Sequence, residues 1–332
     1  MTEVVEVVRG ASLLVASPSA WRTLSELAPP GALAGVGERV ATPRSTDWGR
    51  LAPLASDVAS AGAGGPVVGL GGGTVLDAAK FVARTAGADC VLVPSVLSTT
   101  AWANPSAAIR RGGVVVHVKV NVKRVLVSPY LVAAAPLSLT RGGLADLLVA
   151  HNALLDWELA RDAGAARMPK RAPSVVRAFL AGLERGVEAA MAKPAEGVVE
   201  FVAKATVDAL EVCWSLASGR PLEGSEHFLL YALEEATGRS LLHGPAVATC
   251  TLACLKLRGA GGDSSPERLE KVYDRVGVAR HPSRVGVDPR TFAAVLEGMP
   301  SFVERRGLPF SWWSVDDPFA LTGPGEVAEG LL

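Results

Sequence analysis

The strongest constraint on the fold is a glycine-rich turn between a short apolar run and an amphipathic segment. Residues 66–68 are apolar, residues 69–73 read Gly-Leu-Gly-Gly-Gly, and residues 74–86 have helical periodicity. Glycine has no Cβ, so a ligand can lie directly against the backbone of such a turn. The free amides and the positive end of the following helix favour a pyrophosphate. The pattern predicts a dinucleotide site, with a tight turn that binds nothing as the alternative.

Up to about residue 136, short β-branched apolar runs alternate with helical stretches. This alternation predicts an α/β fold with a Rossmann-like parallel sheet covered by helices, in which ligands bind beyond the carboxyl ends of the strands. The predicted strands are 12–15, 39–42, 67–70, 90–94, 114–118 and 124–128, and the predicted helices are 20–27, 51–61 and 74–86.

From about residue 141 helical periods dominate, so we expect an all-helical second domain. We predict an NAD(P)-binding domain over residues 1–140 and a metal-binding and substrate domain over residues 141–332, with a cleft between them. Residues 305–332 contain three prolines and are expected to form short helical pieces in an irregular tail. The predicted helices of this half are 142–161, 174–192, 196–218, 224–236, 243–257 and 265–276.

Composition restricts the partners and the compartment. The formal net charge is zero and no block of like charge occurs, which argues against nucleic acid or an anionic membrane as the main partner. The longest uncharged run, 90–109, contains prolines and polar residues and is not expected to span a bilayer. No signal peptide is apparent, and the four cysteines form no CxxC pair. We therefore expect a cytoplasmic protein, and its neutral charge favours a homo-oligomer.

A carboxylate and two imidazoles from three helical segments are the candidate metal ligands. Asp146 follows the glycine pair at 142–143, His227 follows Ser225-Glu226, and His243 precedes Gly244-Pro245. Three protein ligands leave a coordination position for a substrate oxygen, as catalytic metal sites require. The alternative is two ordinary surface or core histidines and an acidic residue at a helix start.

Taken together, these motifs resemble the polyol branch of the iron-containing alcohol dehydrogenase superfamily. That branch includes glycerol dehydrogenase and sn-glycerol-1-phosphate dehydrogenase and is akin to dehydroquinate synthase. The resemblance covers roughly residues 65–257 and rests on the order of five motifs. They are the glycine turn with Asp77 and Lys80, residues 94–99, the Gly-Leu-Ala-Asp of 143–146 with Asp156-Trp157, Ser225-Glu226-His227, and His243-Gly244.

The resemblance implies a role for each motif. It implies a dehydroquinate synthase-like fold and a metal-dependent dehydrogenase that transfers hydride between a secondary alcohol and NAD or NADP. Asp77 is expected near the nicotinamide end, and Lys80 is expected to brace the site. One divalent metal is expected, zinc ahead of iron, on Asp146, His227 and His243, which are the catalytic residues. The other cofactor-binding residues that it implies are Gly71, Gly72, Gly73, Ser95, Leu97, Ser98 and Thr99.

Three departures from the family pattern affect the substrate side. Thr100, Pro245 and Ser128 stand where the family commonly has carboxylates. A threonine cannot ionise at neutral pH, so a polyol contact is lost or altered. We expect that the redox chemistry is retained and that the substrate is altered. The alternative is that these three positions tolerate substitution and have changed without effect on the substrate.

The choice between NAD and NADP depends on the residues after the second strand. An acid there would bind the ribose 2′-hydroxyl of NAD, whereas an arginine favours the 2′-phosphate of NADP. Arg44 occupies this region and no acid follows until Asp47. The residue points towards NADP, with an exposed loop arginine as the alternative.

Several functions remain open at this level. A metal-dependent dehydrogenase of a polyol or glycerol-1-phosphate-like alcohol comes first. A specialised-biosynthesis dehydrogenase is the alternative; it would oxidise a small-molecule or peptide-end alcohol, for example the C-terminal threonine of a peptide with loss of CO2. A dehydroquinate synthase-like lyase, which regenerates its NAD, and a non-catalytic binding module are the others.

Overall fold

The computed structural model describes residues 1–37, 40–60, 64–112 and 114–331. The chain forms two compact units, the first comprising Met1–Thr140 with Ala195–Glu200 and the second comprising Arg141–Pro194 with Phe201–Leu332. The division after residue 140 lies where the composition changes, except for the short stretch at 195–200. Three positions of the predictions lie outside the described residues. They are Arg39, the first residue of a predicted strand, Ala61, the last residue of a predicted helix, and Leu332, the last residue of the predicted second domain.

The first unit contains the predicted parallel sheet. Its five strands run in the order β2-β1-β3-β4-β7, and every pairing between them is parallel. The chain passes from β1 to β2 on one side and then to β3 on the other. The carboxyl ends of β1 and β3 therefore form a topological switch point, where ligands bind in open α/β sheets. The strands are β1 Leu13–Ala16, β2 Val40–Ala41, β3 Val67–Gly71, β4 Cys90–Pro94 and β7 Val122–Val125.

The strand predicted over 114–118 does not join this sheet. It is β6 (Val114–Lys119), which pairs antiparallel with β5 (Ser106–Arg111), a strand that the pattern did not predict. The pattern also placed the last strand too far along the chain, since β7 ends at Val125 and Ser128 is already the N-cap of α5. The helices of this part are α1 Thr2–Arg9, α2 Pro18–Leu27, α3 Trp48–Ser60, α4 Gly73–Ala86 and α5 Pro129–Ala133.

The second unit is helical, as predicted. The helix predicted over 142–161 is two helices, α6 and α7, that meet at Val149. The hydrophobic pattern did not predict α13 (Pro289–Arg306). Its interior Pro300 is a residue that normally ends or kinks a helix. No helix among the described residues has the length and apolarity that a bilayer crossing requires. The remaining helices, from the unit boundary onward, are α6 Leu137–Leu148, α7 Ala150–Asp162, α8 Ala172–Met191, α9 Ala195–Ser215, α10 Ser225–Thr237, α11 His243–Leu257, α12 Pro266–Val276, α13 Pro289–Arg306 and α14 Pro324–Gly330.

Candidate functional site

The structure brings Asp146, His227 and His243 together inside the second unit. Their ligand atoms all lie within 4.8 Å of one another. Nε2 of His243 is 2.9 Å from Oδ1 of Asp146, and Nε2 of His227 is 3.4 Å from the same oxygen. Asp146 and His227 are buried, whereas His243 is partly exposed. One carboxylate and two imidazole nitrogens converging in this way fit a divalent zinc or iron ion.

A close approach between two glycines positions these ligands. A Cβ on Gly244 would lie 2.5 Å from Cα and 2.6 Å from the carbonyl oxygen of Gly142. Helices α6 and α11 can therefore touch at this point only because Gly244 has no side chain. Asp146 lies one turn after Gly142 on α6, and His243 directly precedes Gly244, so the contact sets the separation of two of the three ligands.

We expect Gly244→Ala to weaken metal binding and to destabilise the protein, because its methyl group would push α11 away from the α6 backbone. Overpacking of this kind costs about 1–3 kcal/mol of unfolding free energy. Gly142→Ala is the matched control, since its Cβ would meet nothing closer than 3.4 Å, an ordinary contact. Thermal unfolding and zinc titration of both variants test the idea, which fails if the two variants behave alike.

The charges and hydrogen bonds among Asp146, His227 and His243 favour the ionised carboxylate that a cation would bind. Burial alone would raise the pKa of Asp146, but the charges and hydrogen bonds of His243 and His227 outweigh burial and hold that pKa below its ordinary value. Burial would likewise lower the pKa of His227, and hydrogen bonds to Asp146 and Glu226 instead raise that pKa. In the metal-free protein at neutral pH, His227 thus keeps its proton, and metal uptake has to displace it. Zinc addition to a weakly buffered sample is accordingly expected to release protons.

Behind His227 lies a buried polar network that sequence reasoning missed. Nδ1 of His227 is 2.9 Å from Oε1 of Glu226, and the amide of Asn152 donates to the other oxygen of Glu226. Asp156 accepts hydrogen bonds from the Ser225 amide at 2.5 Å and from Arg258 at 2.6 Å. The sequence motifs include Asp156, Ser225 and Glu226, but a motif does not say that these side chains contact one another behind His227.

The glycine turn joins β3 to α4 in the first unit. The Ser95 amide donates to the Gly71 carbonyl at 3.0 Å, which ties the turn to the segment after β4. The amides of Val75 and Leu76 donate to the Gly72 carbonyl, so the amides of Gly73 and Thr74 precede the first hydrogen bonds of the helix. The turn lies at the switch point of the sheet, and its use as an anion site stays a prediction.

Packing within the protein also requires these glycines. A Cβ on Gly71 would lie 3.0 Å from the Val75 side chain, and one on Gly73 would lie 3.0 Å from Oγ1 of Thr99. The Thr99 hydroxyl accepts a hydrogen bond from the Ala101 amide at 3.2 Å. Tight packing within the protein therefore accounts for Gly71 and Gly73, and approach of a ligand to the same turn stays a prediction.

Lys80 and Asp77 form a buried ion pair next to this turn. Nζ of the fully buried Lys80 lies 3.0 Å from Oδ1 of Asp77, 2.5 Å from the Ala101 carbonyl and 2.8 Å from the Ser106 carbonyl. These contacts use all three ammonium donors, so Lys80 ties α4 to the segment that leads into β5. Burial raises the pKa of Asp77, and the nearby Lys80 opposes that rise. A contact of Asp77 with a nicotinamide stays a prediction.

The remaining predicted residues differ in accessibility. Leu97 is fully buried, so a contact between Leu97 and a cofactor stays a prediction. Ser98 and Thr99 are partly exposed, Ser95 is buried, and Arg44 is exposed three residues beyond the end of β2. The Ser128 hydroxyl accepts from the Leu131 amide at 3.4 Å as the N-cap of α5, which gives one of the three departures a structural role.

Comparison with known proteins identifies the relatives of this chain. A family model described as iron-containing alcohol dehydrogenase matches residues 13–136. A glycerol-1-phosphate dehydrogenase of Methanoculleus marisnigri is 28% identical over 86% of this chain and 78% of that protein. The same enzyme of Methanothermobacter thermautotrophicus is 27% identical over 67% of this chain, and the match spans less than two thirds of that relative, 63%.

Solved structures agree in fold. A probable glycerol dehydrogenase from Sinorhizobium meliloti superimposes with a TM-score of 0.66 at 20% identity, covering 99% of this chain and 91% of the other. Glycerol dehydrogenase from Schizosaccharomyces pombe gives a TM-score of 0.65 at 16% identity over 98% of this chain and 84% of the other. In sequence and in fold the chain is therefore similar to the iron-containing alcohol dehydrogenases, at the low identity of a divergent relative.

Proposed function

We propose that this protein is a metal-dependent oxidoreductase that transfers hydride between a secondary alcohol and NAD(P). The observation that carries the proposal is the convergence of Asp146, His227 and His243 within 4.8 Å, in a chain with the dehydrogenase glycine turn. A bound cation would supply Lewis acidity towards the alcohol oxygen, and a bound nicotinamide would exchange the hydride.

The protein's own residues hold and orient these groups. Asp146, His227 and His243 would hold the cation, and the buried Asp146 carboxylate would supply its negative charge. The turn at Gly71, Gly72 and Gly73 would receive the pyrophosphate on backbone amides. Ser95, through its bond to the Gly71 carbonyl, would keep the segment after β4 at the edge of that site.

Zinc is the metal that we propose ahead of iron. Two imidazoles and one carboxylate suit both ions, and the family description names iron. Catalytic zinc sites commonly have three protein ligands, with a histidine ligand held in place by a hydrogen bond to a carboxylate. Here the carboxylate of Glu226 is in that position relative to His227. Metal analysis of protein purified without added metal would distinguish the two ions.

The proposed substrate is a polyol or glycerol-1-phosphate-like alcohol with altered specificity. Relatives named glycerol-1-phosphate dehydrogenase, and similar structures named glycerol dehydrogenase, support this substrate class. Thr100 and Pro245 lack the carboxylates that the family resemblance leads one to expect, and Pro245 lies in the first turn of α11 beside His243. Loss of acidic groups there would favour an alcohol with fewer hydroxyls or with a negative charge.

An absorbance assay at 340 nm tests the proposed function. Protein loaded with zinc or iron is offered NAD or NADP with glycerol, glycerol 1-phosphate, simple secondary alcohols and threonine-ended peptides. Net, metal-dependent formation of reduced cofactor on at least one alcohol is expected. A lyase that regenerates its cofactor would give product without net absorbance. Loaded protein that binds cofactor but oxidises none of these alcohols would contradict the proposal.

NADP preference is the second part of the proposal and depends on Arg44. An exposed arginine just beyond the end of β2 can form a bidentate pair with a 2′-phosphate. Arg44→Ala is expected to weaken NADPH binding by roughly tenfold or more and to leave NADH binding unchanged, since one charge-assisted pair contributes about 1.5–3 kcal/mol. Fluorescence titration measures both constants, with the exposed Arg50→Ala on α3 as the control. A wild-type preference for NADH would defeat this assignment.

The proposal also includes a cytoplasmic homo-oligomer. The four cysteines are buried and free, which suits a reducing compartment. Trp214 and Val207 are exposed seven residues apart on α9, an apolar stripe that a second copy would cover. Light scattering after gel filtration would give the oligomeric state.

A further inference from the structure

We propose that Glu226 is a positioning residue that fixes the ring orientation and the tautomer of His227 for metal binding. The inference rests on the metal site of the proposed function. An ionised carboxylate can only accept hydrogen bonds, so Oε1 of Glu226, 2.9 Å from Nδ1 of His227, requires the proton on Nδ1. When a metal displaces the second proton of the ring, that proton leaves Nε2, the nitrogen that lies 3.4 Å from Oδ1 of Asp146, and the Nε2 lone pair binds the metal.

The surroundings hold Glu226 in this orientation. Its Oε1 also accepts the Gly224 amide at 2.7 Å, and its Oε2 accepts from the side-chain amide of Asn152. Glu226 is fully buried at the start of α10, so water does not compete for these bonds. A carboxylate fixed by two independent donors cannot rotate away from the imidazole without leaving a buried polar group unpaired.

Asn152 connects Glu226 to a second anchor. Its amide nitrogen is 2.9 Å from Oγ of Ser225 and 3.3 Å from Oδ2 of Asp156. Asp156 is in turn paired with Arg258 at 2.6 Å. The contacts therefore run from His227 on α10 through α7 to Arg258, the residue that follows α11, and they restrain the carboxylate that contacts the His227 ring.

The charge of Glu226 has its own effect. A buried negative charge one hydrogen bond behind the imidazole makes Nε2 a stronger donor to a cation and adds to the field of Asp146. Two substitutions separate the two contributions. Glu226→Gln keeps an oxygen that accepts the Nδ1 proton and removes the charge, whereas Glu226→Ala removes both.

Zinc titration of the full-length protein, with zinc alone as the probe, tests the proposal. The dissociation constant is expected to rise roughly tenfold in Glu226→Gln and about a hundredfold in Glu226→Ala, the range found when residues behind metal-binding histidines are removed. Glu235→Gln, an exposed residue on the same helix, is the matched control and should bind zinc like the wild type.

A spectroscopic readout separates positioning from a merely structural role. In zinc-loaded protein with nitrogen-15-labelled histidine, long-range correlations should show zinc on Nε2 and a slowly exchanging proton on Nδ1 of His227. That proton should persist in Glu226→Gln and exchange rapidly in Glu226→Ala. The proposal is overturned if folded variants bind zinc like the wild type, or if His227 binds through Nδ1. Wild-type protein that takes up no zinc would instead overturn the metal site itself, whatever the result of the alcohol assay.

Discussion

Replacing His227 or His243 by alanine, or Asp146 by asparagine, is expected to abolish metal retention and dehydrogenase activity. Each change removes one of three converging ligand atoms. The loss should exceed the roughly 10- to 100-fold effect of removing a residue behind a ligand, because two ligands do not hold a catalytic ion. Metal content after dialysis and activity at saturating cofactor are the measurements.

His281→Ala is the control for this series. His281 lies in the same unit and caps a short turn by accepting the Ser283 amide at 3.0 Å, outside the group of three. It should keep its metal and its activity while losing about 1 kcal/mol of unfolding free energy. Full metal occupancy in all three ligand variants, with native circular dichroism, would show that the assignment is wrong.

Lys80→Met should be the most destabilising single change in the first unit. It removes an ammonium with three acceptors and leaves the Asp77 carboxylate buried without its cation. Breaking a buried pair from one side costs about 3–5 kcal/mol. Urea unfolding of the variant, followed by circular dichroism, gives the change in unfolding free energy.

A double substitution identifies the source of that loss. Asp77→Asn with Lys80→Met removes both charges, so it should recover part of the stability lost in Lys80→Met alone. Arg84→Met, on the exposed face of the same helix, should change the unfolding free energy by less than about 0.5 kcal/mol. Equal losses in Lys80→Met and Arg84→Met would mean that the ion pair does not support the fold.

Local patterns predicted the features that depend on neighbours in the chain. The alternation of apolar runs gave β1, β3 and β4 nearly to the residue, and helical periodicity gave α11 at 243–257. Both periodicities follow from backbone geometry, so a short stretch of sequence contains them. The identity of Asp146, His227 and His243 as candidate ligands came from residue chemistry and the family resemblance, and needed no coordinates.

Two of the elements that the sequence did not predict, β5 and α13, depend on contacts outside their own segments. Strand β5 carries arginines and pairs with β6 outside the parallel sheet, and α13 contains a proline that its tertiary packing tolerates. Neither element has a clear local signal, because contacts outside the element stabilise it.

The sequence by itself determined the α/β-then-helical order, the glycine turn and the types of side chain available to a metal. Only the tertiary structure decided that Gly142 and Gly244 touch and that Glu226 faces His227. It also decided that all three N–H donors of the Lys80 ammonium bind acceptors within the first unit. These contacts join residues up to a hundred or so positions apart, and the distances between their atoms are set by how whole helices pack, which no local pattern encodes.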